Sequence, residues 1–426
     1  MEKQRCYFVI DMKSFFASVE CVERGLDAMQ AKLVVADERR TDKTVCLAVS
    51  PKMKELGVRN RCRLFEIPKT IDFIIAPPRM QKYIEYAAEI YGIYLKYISP
   101  SDIHTYSIDE SFIDVTDYLK LYNVRAKDFA KKLTGEIYDK LGIPATVGIG
   151  ENMYLAKIAL DITAKKSPDR VGWLTEEKFK KELWHHRPLD DFWGISRGTI
   201  ARLAKHAVYD MYDIAHCDEN ILYKEFGVNA ELLIDHSWGR ETCLMEDIKN
   251  YKTQSKSISN SQILPCGYEY EKAIIIFQEM IQEGCYRLAK SNLATELVHI
   301  FVGYDDHRER VKGTVRLSGP ANLYSQIIPS AIDLFEKVVD KRKKVRQIGY
   351  DFSALVDDAL VQGDLFTDYK KLQKEKNLVG SVLEIKDRYG KNSILKGIDF
   401  LPGATQRERN KTIGGHSDGT DEDASK

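Results

Sequence analysis

Apolar residues along this chain recur with two different periods, and the switches between them mark its elements. The first run, Tyr7 to Ile10 in CYFVIDMKSFFASVE, predicts a strand, and Ser14 to Val22 the start of a helix. In the mixed region 22–79, LVVA and TVCLAVS read as strands. SPKMKELGV reads as a short helix opened by Ser50-Pro51 and closed by Gly57. Pro77-Pro78 ends that region. Helical spacing returns in MQKYIEYAAEIYGIYLKYIS, and Tyr106 to Val115 predicts part of a strand hairpin. A helix (VRAKDFAKKLTGEIYDKLG), a buried strand (PATVGIG) and a further helix (NMYLAKIALDITAKK) complete the segment. The alternation predicts an antiparallel sheet backed by helices, an α+β arrangement.

From 171 to 240 the helical segments are short, and WGISRGTIARLAKHAVYDMYDIA reads as helix, tight glycine turn, helix. A polar linker is expected over 241–252. Beyond it, QSKSISNSQIL, TELVHIFVGYDD, GTVRLSG and VRQIGYDFSALV predict four strands, with helices at 269–290 and 322–340. These make a small αβ domain over 253–357. After 358, QGDLFTDYKKLQKEK is helix-prone, RYGKNSIL resembles a short hairpin, and GGHSDGTDEDASK reads as an acidic, disordered end.

Composition sets wide bounds. A chain of 426 residues, 44% hydrophobic, accommodates two to four domains. Its 64 basic and 64 acidic residues give no net charge, so nucleic-acid binding would depend on local basic faces such as KRKKVR at 341–346. Eight scattered cysteines form no CxxC pair, which argues against a zinc site or disulfide framework and for a reducing compartment. His185-His186 lacks a ligand-spaced partner. No run approaches the roughly 18 apolar residues of a membrane span. Asp11 and Lys13 break the only early apolar run, so a cytoplasmic protein without membrane contact is expected.

The chemistry concentrates in two acidic clusters, Asp11 and Asp109-Glu110, each interrupting an apolar strand. Three carboxylates gathered together repel one another unless a cation joins them. Mg²⁺ prefers such hard oxygen donors, and two ions about 3.5–4 Å apart can hold both oxygens of an in-line phosphoryl displacement. The expectation is metal-dependent nucleotidyl transfer.

DMKSFFASVE, SIDES, AKIALDITAKK and WGIS, in that order, resemble the Y-family of lesion-bypass DNA polymerases. The likeness is greatest to the UmuC-like, UV-damage-repair branch of Gram-positive bacteria and their mobile elements. It runs from Asp11 to about Val356, and RERNKTIGGH resembles that branch as well. It implies a right-hand polymerase: palm over 1–21 and 80–170, small fingers over 22–79, thumb with a helix-hairpin-helix over 171–240, little finger over 253–357, and a tail over 358–426. Asp11, Asp109 and Glu110, with the Met12 carbonyl, would hold two Mg²⁺ ions, and Ser107 and Ser111 would support the bend between the acids. Phe15 and Phe16 would meet the nucleotide, Phe16 as a steric gate against the 2′-hydroxyl. Lys54 and Lys165 would contact triphosphate, with Lys166 an open alternative, and Asp161 would orient this site.

The same resemblance makes Gly194, Ile195 and Gly198 phosphate-gripping positions of the thumb hairpin. It offers Lys256, Arg316, Arg342, Lys344 and Arg346 as little-finger DNA contacts. In QGDLF, Gln362, Leu365 and Phe366 would bind a β sliding clamp. Primer-template DNA and dNTPs would be the substrates, in SOS-type damage tolerance, with damage-response accessory proteins as further partners. Three positions depart from the usual pattern: Pro51 where many relatives have tyrosine, Lys54 where some have arginine, and Ser196 in place of glycine. Two rivals stand beside this reading, a nucleotidyl cyclase and a DNA-binding accessory protein with a polymerase shape and little activity. Neither requires the full set of motifs with all three carboxylates.

Overall fold

A computed structural model describes residues 5–37, 43–253, 256–306, 309–360 and 368–419. Its contacts divide the chain into two compact units, Met1–Tyr251 with His416–Lys426, and Lys252–Gly415.

The first unit opens with strand β1 (Tyr7–Met12) and helix α1 (Phe15–Glu23). The fingers follow as β2 (Leu33–Val35), β3 (Ala48–Val49), α2 (Pro51–Glu55) and β4 (Ile74–Ala76). Ser50 caps α2 by accepting from the Met53 amide, with Pro51 in the first turn where its missing N–H is harmless. The chain then returns through α3 (Met80–Tyr94), β5 (Ile103–Thr105), β6 (Glu110–Asp114), α4 (Thr116–Leu121), α5 (Ala126–Leu141), β7 (Ala145–Gly150), α6 (Met153–Ile158) and β8 (Val171–Leu174).

Among the described residues the palm sheet is five-stranded, in the order β5-β6-β1-β7-β8. Strand β8 belongs to this sheet, parallel to β7, and not to the thumb as the helical pattern after 171 predicts. Both faces of β1 are covered. Phe8, Ile10 and Met12 enter a core with Ile90, Ile93, Phe129 and Leu133 of α3 and α5. Tyr7 and Val9 pack on the other face with Phe112, Met153, Ala156 and Leu160. Burying side chains of this size contributes about 1.5–3 kcal/mol each. Helix α6 lies directly on β7: a Cβ at Gly148 would sit 2.0 Å from the Ala156 carbonyl oxygen, and one at Gly150 would sit 2.2 Å from the Ala156 nitrogen. After α6 the chain widens into one π-helical turn, Ala159–Thr163, instead of continuing as α-helix.

The thumb is helical, with α7 (Glu176–Leu183), α8 (Arg197–Leu203), α9 (Met211–His216), α10 (Glu219–Phe226) and α11 (Asn229–Ser237). The element before α8 is a short 3-10 turn, Leu189–Asp191, and the left-handed turn after it falls on Ala207. The expected linker is not free. Its α12 (Met245–Asn250) places Met245 against Tyr7, Val9 and Phe112, and Lys249 Nζ donates to the Ile103 carbonyl at 2.6 Å.

The second unit runs β9 (Ile258–Tyr268), α13 (Tyr270–Lys290), β10 (Leu293–Tyr304), β11 (Arg310–Ala321), α14 (Tyr324–Val338) and β12 (Val345–Asp357), matching the predicted strand and helix order. Its antiparallel sheet has the order β11-β10-β12-β9. A helical layer covers one face, since a Cβ at Gly313 would meet Leu334 and Val338 of α14. The tail also packs here. Helix α15 (Tyr369–Tyr389) reaches α13 through a Lys290–Asp387 ion pair at 2.7 Å. Residues 390–396 form no hairpin, and a 3-10 turn follows at Gly397–Phe400. At the start of α16 (Gln406–Arg409), the Thr405 and Gln406 amides donate to buried Glu279, at 3.0 and 3.2 Å. His416–Gly419 return to the first unit, where the Gln81 amide donates to the Asp418 carbonyl. The expected disorder of the acidic end therefore does not extend to these residues.

Candidate active site

Asp11 is the fifth residue of β1 and lies directly opposite Glu110 of β6. Opposed residues of an antiparallel pair share a sheet face, so strand register alone brings these two acids together. Asp109 precedes β6 in the hairpin turn, where the Met12 amide donates to its carbonyl at 3.0 Å. Ser107 Oγ donates to Asp109 Oδ1 at 2.6 Å, and the Tyr106 and Ser107 amides both bond the Glu110 carbonyl. The chain thus bends at Asp109, which frees two neighbouring acids from strand alternation. Ser111 is buried on β6.

Electrostatics follow from this crowding. Burial, and then the charges of Asp109 and Glu110, push the Asp11 carboxyl up to about 7, with Lys157 and Lys165 opposing. Burial also raises Glu110, against the pull of Lys157. Lys157 Nζ donates to Glu110 Oε2 at 2.9 Å. Glu110 Oε1 is also buried and lies 2.8 Å from the same ammonium. Among the described residues no three Asp, Glu, His or Cys side chains stand at ligand spacing. The site therefore supplies hard donors and mutual repulsion, which suit a divalent cation, while Glu110 is turned toward lysine.

Between these acids and α1, Ser14 takes a left-handed conformation (φ 51°) seldom adopted by a residue with a side chain. Lys54 Nζ donates to Ser14 Oγ at 2.8 Å. Burial lowers the Lys54 pKa, Asp11 opposes this, and Lys13 and Lys165 lower it further. Lys165 is exposed and reaches Asp161 Oδ1 at 3.4 Å. The Lys166 side chain lies outside the described parts.

Phe15 is 2% exposed and belongs to the palm core, the more deeply buried of the two neighbouring rings. Phe16 is half-buried and stacks on Tyr83 at 4.6 Å. Tyr83 donates to buried Glu20 at 2.8 Å, and Arg79 grips the same carboxylate at 2.9 and 3.0 Å. Sequence reasoning passed over this support, and Lys157 as well. Lys157, Asp161 and Lys165 are spaced four apart, the one signal that could have found the lysine.

In the thumb, Gly194 has φ 86°, the Ile195 side chain is buried, and Gly198 lies in the first turn of α8. Ser196 is extended and accepts from the Thr199 amide, an ordinary N-cap, so serine fits here in place of glycine. Trp193 Nε1 reaches the Tyr106 hydroxyl at 3.3 Å, joining the hairpin to the palm.

The little-finger candidates do not form one patch of free charge. Lys256 is exposed before β9. Arg316 pairs with Glu296, Arg342 with Asp340, Lys344 with Glu269 and Arg346 with Asp305. The uncovered face of β11 instead carries Arg310, Lys312 and Arg316, and the first two have no ion-pair partner among the described residues. The period-two basic pattern of RVKGTVR was the overlooked signal. Gln362, Leu365 and Phe366 lie outside the described residues.

Comparison with known proteins agrees with the motif order. The impB/mucB/samB family matches residues 10–161, and the C-terminal domain of that family matches 255–365. The chain is 32% identical to DNA polymerase IV 2 of Bacillus subtilis (strain 168), over 98% of this chain and all of the relative. It is 30% identical to UvrX of the same strain, a protein named for UV-damage repair, over 96% of each. A Y-family DNA polymerase chimera of known structure matches with a TM-score of 0.66 at 22% identity, over 82% of this chain and 99% of that one. The chain belongs to the UmuC-like branch of the Y-family DNA polymerases.

Proposed function

We propose that the protein copies damaged template DNA, adding deoxynucleoside monophosphates to a primer, through the acids brought together by β1 and β6. The observation that carries this reading is the register of Asp11 against Glu110, with Asp109 in the adjoining turn. Asp11, Asp109, Glu110 and the Met12 carbonyl would hold divalent metal, with Mg²⁺ and two ions per site as the specific proposal. When bound, such ions polarise the primer hydroxyl and neutralise charge on the triphosphate and leaving pyrophosphate.

The remaining residues bind and orient. Lys54 and Lys165 would meet triphosphate oxygens as point charges, without the planar fork of arginine. Phe16, backed by Tyr83, would fill the space a 2′-hydroxyl needs. The fingers support tolerance of distorted template. Among their described residues, the only helices are α2 and a 3-10 turn at Leu64–Glu66, and neither is long enough to close over a nascent pair.

The Gly194–Gly198 backbone and the basic face of β11 would grip phosphates without reading sequence. QGDLF would tether the enzyme to a β sliding clamp, raising local DNA concentration. Damage-response accessory proteins and an SOS context remain part of this proposal. No described helix is long and apolar enough to cross a membrane, and cytoplasmic action is proposed with the rest.

The test is primer extension with purified protein, Mg²⁺ and dNTPs across an abasic template. Extension past the lesion supports the reading. Synthesis on intact DNA that always stops at the lesion would reduce it to an ordinary gap-filling polymerase.

A further inference from the structure

Lys157 is buried, and among the described residues its ammonium forms ion pairs with Glu110 and Asp161 alone. Nζ lies 2.8 and 2.9 Å from the two oxygens of Glu110 and 3.2 Å from Asp161 Oδ2. The other Asp161 oxygen meets Lys165. A ladder of alternating charge thus runs from Glu110 through Lys157 and Asp161 to the exposed Lys165. Two backbone features put it there. The close approach of α6 to Gly148 and Gly150 presses Lys157 toward the acid face of β1 and β6, and the π-helical turn holds Asp161 beside it. π-turns of this kind concentrate at functional sites.

An unpaired buried ammonium is strongly destabilising, and so is an unneutralised cluster of buried carboxylates. Each solves the other's difficulty. The same geometry leaves Glu110 turned toward lysine, both its oxygens against the ammonium, with no three ligand side chains at coordination spacing among the described residues.

From this arrangement we propose that Lys157 is a stand-in cation: it neutralises and holds Glu110 until divalent metal takes that carboxylate over. The proposal rests on the reading of Asp11, Asp109 and Glu110 as the metal-binding acids. Lys157 is then a positioning residue with two effects. It keeps the metal-free site folded, and it competes with the metal, so loading is weaker than the acids alone would give. Asp161, already within 3.2 Å, receives the ammonium when Glu110 is taken, so no large movement is required.

The test compares thermal melting in chelator and in saturating Mg²⁺ for wild type, Lys157→Met, Lys157→Arg and Lys205→Met. Mg²⁺ titrated into each protein, read by the melting shift, supplies the half-saturating concentration. Lys157→Met should melt lower in chelator and gain at least about twice the wild-type increment from Mg²⁺, with half-saturation at about fivefold lower concentration. Lys157→Arg keeps the charge, and Lys205→Met removes an exposed lysine of the thumb, so both should gain as wild type does.

A purely structural lysine would lower melting equally with and without Mg²⁺, and equal increments would overturn the proposal. So would a Lys157→Met protein that fails to fold in both conditions, because metal should replace the missing charge. If Mg²⁺ moves none of the four proteins, the metal reading itself fails; if it moves all four equally, only the role of Lys157 does.

Discussion

The palm sheet and the little-finger sheet are both antiparallel at their centres, yet they treat charge in opposite ways. The palm sheet is covered on both faces, so the acids at the end of β1 and β6 are pressed into low dielectric and into each other. The little-finger sheet is covered on one face, and the basic side chains of β11 stand in solvent. Burial makes a carboxylate cluster costly and therefore responsive to cations. Exposure makes a basic strand cheap, salt-sensitive and indifferent to sequence. On the proposed function, chemistry and grip fall to two differently covered sheets.

The contrast breaks most sharply at the buried acids. Glu110→Gln or Asp11→Asn keeps side-chain shape and should reduce the rate of primer extension at least about 100-fold, with DNA binding retained, as measured by single-turnover kinetics and a binding titration. A smaller loss would mean that register is not what the chemistry uses. Next in size, Phe16→Ala should lower discrimination between dCTP and CTP by about tenfold or more. Unchanged discrimination in steady-state incorporation would remove Phe16 from the gate, whatever its stacking on Tyr83.

A pH scan of metal-free protein sharpens the comparison. Asp11 in the fold titrates near 7, above an ordinary aspartate at 3.8, so the native state binds the extra proton between those values. Stability in chelator should therefore fall as pH rises from about 4 to 7, and level off above that. Asp11→Asn should flatten this slope in thermal melts, and a slope unchanged by the substitution would place the titration elsewhere.

The smallest effects belong to the open sheet. Lys312→Ala should weaken DNA binding about threefold to fivefold and reduce the log–log salt slope by about one. Arg342→Ala should do less, because its guanidinium is already held by Asp340. Fluorescence anisotropy at several salt concentrations checks both, and a reversed order would return the interface to the 341–346 loop.

What the sequence disclosed followed from how locally each feature is determined. Strand and helix order, the cap at Ser50 and the bend at Asp109 depend on near neighbours, and their signals stand in the text of the chain. The partnership of Asp11 with Glu110 was legible through motif order, which carries long-range register without revealing it. Lys157 was hidden because a lysine in an amphipathic helix looks solvated; only the glycines of β7, by admitting α6, bury it. The membership of β8 in the palm was missed because four residues carry little periodic signal, while neighbouring helices carry much. Arg342, Lys344 and Arg346 drew attention as a cluster, but clustering in sequence does not reveal the acids that fold back onto them. Docking of the tail depends on Glu279, a buried acid inside a helix that reads as amphipathic.

The central claim is that Asp11, Asp109 and Glu110 form one site for template-directed synthesis. The most direct measurement is extension of a labelled primer by wild type and Asp109→Ala, with Mg²⁺ and the four dNTPs, on undamaged and abasic templates. The account predicts short, distributive, metal-dependent extension by wild type on both templates, lost in the variant although it still binds DNA. Extension that survives in Asp109→Ala would contradict it.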